Sequence, residues 1–185
     1  YENLQEALVS AYGDEAIGDY QIPLLTAFAS WVGGDMDGNP NVGAKTIRNT
    51  LSRQRSLILD LYFRECADVG SKLSQCRDRV KGGDAVKARI QEYRHHFSKA
   101  WGEVPNRHRD MPYRSLLRLI QARLQSTYDD DAFPYESAES FAADVELIAD
   151  SLREHQGHNA GLFAVRRLQR RIECFGFHMA TLDIR

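Results

Sequence analysis

The segment Ser30-Trp31-Val32-Gly33-Gly34-Asp35-Met36-Asp37-Gly38-Asn39-Pro40 gathers two carboxylates, an amide and three glycines within eleven residues. Glycines belong where backbone turns sharply or lets another group come close. The turn follows an apolar stretch, Leu24–Val32, that reads as a strand. In barrel folds chemistry is placed where strands end at their C-terminal face. Three readings of such a cluster compete. An EF-hand calcium loop would begin at Asp35-x-Asp37-x-Asn39. Its sixth position would be Pro40 rather than Gly and its twelfth Thr46 rather than a bidentate Glu, so this reading fails. An Asp-x-Asp phosphatase of the haloacid dehalogenase type would use Asp35 as nucleophile and Asp37 as acid. Against it, Gly33-Gly34 separate the strand from the first Asp, and Asn39 stands where Thr or Val is expected. The plainest reading is an Asx-rich turn that closes a strand.

The elements that must hold this turn are mostly helical. Ile47, Leu51, Ile58, Leu61, Tyr62 and Val69 recur at helical spacing and predict one long helix from about Ala44 to Leu73. Gly82-Gly83 breaks the pattern beyond it, and a second helix is expected from Ala85 to about Lys99. Trp101–Asp110, with Gly102 and Pro105, reads as a loop. Pro112 suits the first turn of a helix to about Tyr128, with Leu116, Ile120 and Leu124 inward. Ser137 is the expected N-cap of a helix with Phe141, Val145, Ile148 and Leu152 inward. A last helix spans Leu162 to Phe175 and stops at Gly176. Leu24–Val32 and Met179–Ile184 read as buried strands, parallel because a long helical crossover joins them. The expected fold is mainly α, a single segment with two short parallel strands.

Composition narrows the function. The 185 residues are 43% hydrophobic and 27% charged, with a formal net charge of −2. That balance opposes a dominant nucleic-acid surface. No run of eighteen apolar residues suits a membrane span. Cys66, Cys76 and Cys174 are scattered and odd in number, which predicts reduced thiols in a cytoplasmic protein. A helix is expected at the first residues and a strand at the last, so the chain reads as an internal piece of a longer polypeptide. Arg166, Arg167, Arg170 and Arg171 form a basic stripe opposite Val165, Leu168, Ile172 and Phe175, expected to be solvated or salt-bridged. His95 and His96 point about 100° apart on a helix and cannot share a metal. His108, His155 and His158 sit in or beside loops without ligand spacing, and His178 reads as structural.

Taken whole, Ser30-Trp31-x-Gly33-Gly34-Asp35-x-Asp37-Gly38-Asn39-Pro40-Asn41-Val42 resembles a signature of the phosphoenolpyruvate carboxylases. Cys174-Phe175-Gly176-Phe177-His178-x-x-x-Leu182-Asp183-Ile184-Arg185 resembles a second signature of that family, at the right remove. Ala44-Lys45-Thr46-Ile47-Arg48, Arg109–Arg114 and Asn159–Arg171 are similar to landmarks of a bacterial subfamily. The resemblance covers Leu24 to Arg185. It implies that the segment belongs to a larger α/β barrel, and that the intact enzyme, a cytoplasmic homotetramer, adds bicarbonate to phosphoenolpyruvate to give oxaloacetate and phosphate. Bicarbonate would attack phosphorus, giving carboxyphosphate and the enolate, which then captures carbon dioxide. Mg²⁺ or Mn²⁺ would assist.

On this resemblance Arg185 binds the substrate phosphate, for which its fork is suited. Gly33, Gly34, Asp35, Asp37 and Asn39 shape the loop beside it, and Asp35 is expected within roughly 20 Å of Arg185, over half the diameter of a small domain. The family's Thr-Ala-His-Pro-Thr segment, its Phe-His-Gly-Arg-Gly-Gly loop, its lysine segment and its acidic metal ligands are not in this sequence. The fragment alone therefore carries no catalytic residue and is expected to be inactive. One departure stands out: the common form of the first signature has Arg where this chain has Met36, which can neither pair with the carboxylates nor face an anion.

Overall fold

The computed structural model describes residues 2–13, 22–37, 40–74, 83–154 and 161–184. Among them are eight helices and two strands: α1 (Glu2–Tyr12), β1 (Ala29–Ser30), α2 (Ala44–Lys72), α3 (Asp84–His96), α4 (Ser98–Gly102), α5 (Asn106–Arg109), α6 (Pro112–Asp129), α7 (Ala138–Glu154), α8 (Leu162–Phe175) and β2 (Thr181–Leu182). The strands pair in parallel, Ala29 with Thr181 and Ser30 with Leu182.

The core lies between α2, α3, α6, α7 and α8. α6 begins with Pro112 at its first turn and buries Leu116, Ile120 and Leu124. α7 starts as expected from Ser137, whose hydroxyl oxygen accepts the Ser140 amide at 3.4 Å and satisfies a donor that the first turn leaves free. Its stripe of Phe141, Val145, Ile148 and Leu152 is buried. α8 spans the predicted residues and buries Val165, Leu168 and Ile172.

Polar ties fix how the helices register. The Arg114 guanidinium donates to the carbonyls of Gly70 (2.8 Å) and Ser71 (2.9 Å), near the C-terminal end of α2, where cations are favoured. Arg55 donates to the Thr127 carbonyl (2.9 Å) and meets Asp130, the left-handed residue that caps α6. The Tyr62 hydroxyl lies 2.9 Å from the Gly176 carbonyl and 3.2 Å from that of Arg171, pinning α2 to the end of α8.

Four expectations change. Trp101–Asp110 is not a continuous loop, because α4 and α5 occupy parts of it: Gly102 closes α4 and Pro105 precedes α5, so the two breakers bound helical turns instead of dissolving them. The second helix stops at His96 rather than Lys99, and Phe97 joins it to α4. Leu51 is 42% exposed, since the buried face of α2 begins only at Gln54. The paired strands are two residues each, and the apolar stretch around β1 is exposed rather than buried: Leu24, Leu25, Phe28, Trp31 and Val32 all face solvent in this chain. With one strand as neighbour, only the residues opposite it can pair, and the sheet face stays uncovered.

Candidate functional site

Two segments 152 residues apart meet at the strand pair, Ala29 opposite Thr181. The Thr181 amide donates to the Phe28 carbonyl and the Asp183 amide to the Ser30 carbonyl, both at 2.9 Å. The Phe28 ring stacks on Phe175 with centroids 5.0 Å apart, fixing β1 against the end of α8. The carboxyl ends of both strands therefore point the same way, and the predicted loop emerges beside the predicted strand end.

The turn after β1 is tight. The Gly34 and Asp35 amides both donate to the Trp31 carbonyl, at 2.8 and 3.2 Å, and the Val32 amide donates to the Ser30 hydroxyl oxygen at 3.2 Å. Gly33 has φ +82°, a conformation that strains residues with a Cβ, and a Cβ there would also sit closer than 3.0 Å to the Thr50 hydroxyl on α2. Gly34 is buried against β2. A Cβ on it would come closer than 3.0 Å to the Asp183 carbonyl oxygen and 3.2 Å from Leu182 Cγ. The two glycines thus have different jobs: Gly33 turns the chain, and Gly34 lets it press on the strand that leads to Arg185.

Beyond them the loop opens to solvent. Asp35, Met36 and Asp37 are exposed, and the Asp35 carboxylate accepts the Asp37 amide at 3.3 Å, an Asx turn. On the exit side, the Thr46 hydroxyl donates to the Asn41 carbonyl at 3.0 Å and lies 3.5 Å from the Gly43 amide, tying the loop to the first turn of α2. The structure sets Gly34 against the end of β2, while Gly33 faces Thr50 and Asp35 and Asp37 lie in the exposed turn that follows. Asn39 and Arg185 lie outside the described residues, as do Cys76, His155 and His158. Among the described residues no cluster of three His, Cys, Asp or Glu side chains could hold a metal ion.

The family model described as phosphoenolpyruvate carboxylase matches residues 1–185. The chain belongs to the phosphoenolpyruvate carboxylase family. It is 45% identical over all 185 residues to a phosphoenolpyruvate carboxylase of Xanthomonas euvesicatoria and 44% identical to one of Xanthomonas campestris, covering 20% of each. A phosphoenolpyruvate carboxylase of Burkholderia mallei aligns at 32% identity, with 19% of its length covered. The chain thus spans about a fifth of the length of the curated relatives it matches. These comparisons support neither a phosphatase nor a non-catalytic helical module. In this chain the two signature segments each supply one strand of a parallel pair, and the turn after the first rests on the second at Gly34.

Other side chains resolve into structural roles. Arg170 pairs with Glu173 at 2.8 Å and Arg171 with the half-buried Glu65, while Arg166 and Arg167 are exposed, so the basic stripe of α8 is salt-bridged and solvated. Burial pushes the Cys66 thiol up, which keeps it protonated and unreactive. No helix among the described residues is long and apolar enough to cross a membrane.

Sequence reasoning missed a buried polar network. Asp144, fully buried on α7, accepts from the Tyr135 hydroxyl at 2.6 Å, from Tyr93, and from Arg89 at 2.5 Å, with Arg123 4.0 Å away. Burial is the largest influence on the Asp144 carboxyl and raises it, against the opposing pull of Tyr135, Tyr93, Arg89 and Arg123. The signal was present: Asp144 falls on the apolar stripe of α7, between Phe141 and Ile148, where an unpaired carboxylate would be costly.

Proposed function

We propose that this chain is the part of a phosphoenolpyruvate carboxylase that builds one wall of its active site, in an enzyme that adds bicarbonate to phosphoenolpyruvate to give oxaloacetate and phosphate. The observation that carries the proposal is the close approach of Gly34, in the turn after β1, to Asp183, two residues before Arg185. Arg185 then binds the substrate phosphate through its planar fork. Gly33, Gly34, Asp35, Asp37 and Asn39 set the position of the loop beside it, acting through backbone placement rather than on reacting atoms. Positioning of this kind governs how closely the reacting groups approach.

The divalent ion, Mg²⁺ or Mn²⁺, would offset charge developing on the phosphoryl group, held by ligands in the rest of the polypeptide. The intact enzyme is proposed to be a cytoplasmic homotetramer. The test is direct: the full-length protein that carries this chain is assayed for oxaloacetate formation. Activity that needs phosphoenolpyruvate, bicarbonate and Mg²⁺ or Mn²⁺ together supports the reading. A purified, folded full-length protein with no such activity refutes it.

A further inference from the structure

α8 ends at Phe175 and β2 starts at Thr181, so residues 176–180 carry the chain from the helix to the strand that leads to Arg185. That connection is locked from within. The Gly176 amide donates to the Ile172 carbonyl and the Met179 amide to the Phe175 carbonyl, both at 2.8 Å, and the Ala180 amide donates to the His178 carbonyl at 2.6 Å. Gly176 at φ +51° and Met179 at φ +63° both hold the left-handed region. A non-glycine residue stays there only where its surroundings fix it. A turn tied in this way moves as one piece, so whatever holds its first residue sets where its last residue delivers the strand. That hold comes from α2. Tyr62 is fully buried, and its hydroxyl lies 2.9 Å from the Gly176 carbonyl and 3.2 Å from that of Arg171. Arg171 lies within α8, whose own amides serve its carbonyl. The Gly176 carbonyl, past the helix end, meets no other donor among the described residues. Tyr62 also grips the turn by its ring: the Phe177 centroid is 6.4 Å from that of Tyr62, and both rings pack on Phe141, at 6.2 and 5.3 Å. Burial raises the Tyr62 phenol above its ordinary range, so the hydroxyl keeps its proton and stays a donor at neutral pH.

We propose that Tyr62, which lies outside both signature segments, is a positioning residue for the carboxylase reaction: through the Gly176 carbonyl it sets where β2 starts, and so where Arg185 meets the substrate phosphate. The proposal rests on the strand-end reading of the site. Tyr62 touches neither substrate nor reacting atoms and acts only through Arg185. The two ends of β2 have separate anchors. The Phe28 and Ser30 carbonyls hold the strand beside β1 by accepting the Thr181 and Asp183 amides, and Tyr62 holds the turn from which the strand springs. Small displacements suffice, because misplacing a substrate-holding group by about 1 Å costs about 100-fold in turnover.

The test is a double-substitution cycle in the full-length protein, read as kcat/KM for phosphoenolpyruvate. The parent, Tyr62→Phe, Arg185→Ala and the two combined are measured, with a urea melt of each. Tyr62→Phe keeps the ring and removes the hydroxyl. Tyr113→Phe is the control: it also removes a buried phenol hydroxyl, 2.9 Å from that of Ser151, but one that ties α6 to α7 instead of holding the turn. Tyr62→Phe is expected to lose about fivefold or more and Tyr113→Phe to stay within about twofold, on the misplacement argument. The combined variant is expected to match Arg185→Ala within about twofold, because a residue that acts through Arg185 has nothing left to position once the guanidinium is gone. If Tyr62→Phe does not fold, Phe177→Leu, which loosens the same turn from its ring side, takes its place in the cycle. Parental kinetics in Arg185→Ala overturn the strand-end reading, and this proposal with it. With Arg185→Ala impaired, three results overturn the proposal alone: parental kinetics in Tyr62→Phe, an equal loss in Tyr113→Phe, or losses that multiply in the combined variant.

Discussion

Replacing Gly34 by Ala adds one methyl at the closest approach between the two signature segments. Built on the existing backbone, that methyl sits closer than 3.0 Å to the Asp183 carbonyl oxygen, and 3.2 Å from Leu182 Cγ. The first obstacle is backbone, which cannot rotate away as a side-chain tip would. Relief requires the loop and β2 to separate, stretching the hydrogen bond from the Asp183 amide to the Ser30 carbonyl, now 2.9 Å. Overpacking of this kind costs about 1–3 kcal/mol. A strand end displaced by about 1 Å carries Arg185 with it, and misplacement on that scale costs about 100-fold in turnover. Gly43→Ala is the matched control. It lies at the other end of the same loop, with φ −145° and nothing within 4 Å of an added Cβ. The assay is kcat/KM for phosphoenolpyruvate in the full-length protein, with urea melts of both variants. Gly34→Ala is expected to lose activity by one to two orders of magnitude and Gly43→Ala to stay within about twofold, on the same misplacement argument. Equal kinetics for Gly34→Ala and the parent would refute the reasoning that the loop is pressed on the strand.

Asp35→Asn keeps the side chain's shape and its acceptor oxygen but removes the charge at the mouth of the turn. Its kcat/KM should fall further than that of Glu154→Gln, measured side by side in steady state. Asp144→Ala strips the shared acceptor from Tyr93, Tyr135 and Arg89; removing one partner of a buried ion pair costs about 3–5 kcal/mol, read from urea melts. Tyr62, Tyr93, Tyr113 and Tyr135 are all raised above the ordinary tyrosine value of 10.0, chiefly by burial. A raised pKa gives stability that is whole below the unfolded value and is lost as pH rises towards the folded one. Stability should therefore decline above about pH 10, by about 1.4 kcal/mol per pH unit for each tyrosine that stays neutral in the fold. Urea melts at pH 9 to 11, with tyrosinate absorbance followed in parallel, check this; a flat profile would contradict it.

Much of this was legible in the sequence for identifiable reasons. The stripes of α6, α7 and α8 have one apolar face each, and Pro112, Ser137 and Gly176 punctuate them, so their limits fell within a residue or two of expectation. The parallel pair followed from two apolar stretches joined by a helical crossover. Its length did not, because composition records what a stretch can bury and not how many of its residues find a partner. Leu24, Phe28 and Trp31 are apolar enough for a sheet interior yet exposed here. The Asp144 network joins residues 51 and 55 positions apart, Tyr93 and Arg89, and periodicity sorts each polar residue by its own helix alone. Trp101 likewise read as part of a loop. Its place between Arg94 and Arg109 exists only once α3, α4 and α5 have folded around it.

The central claim is that the strand end after β2 forms part of the phosphoenolpyruvate site, and Arg185→Ala in the full-length protein tests it most directly. A charge-assisted phosphate contact contributes about 1.5–3 kcal/mol, and each 1.4 kcal/mol is a factor of ten. Steady-state kinetics with phosphoenolpyruvate should show at least a tenfold loss in binding or turnover, with the unfolding midpoint unchanged. Parental kinetics in that variant would contradict the site assigned here.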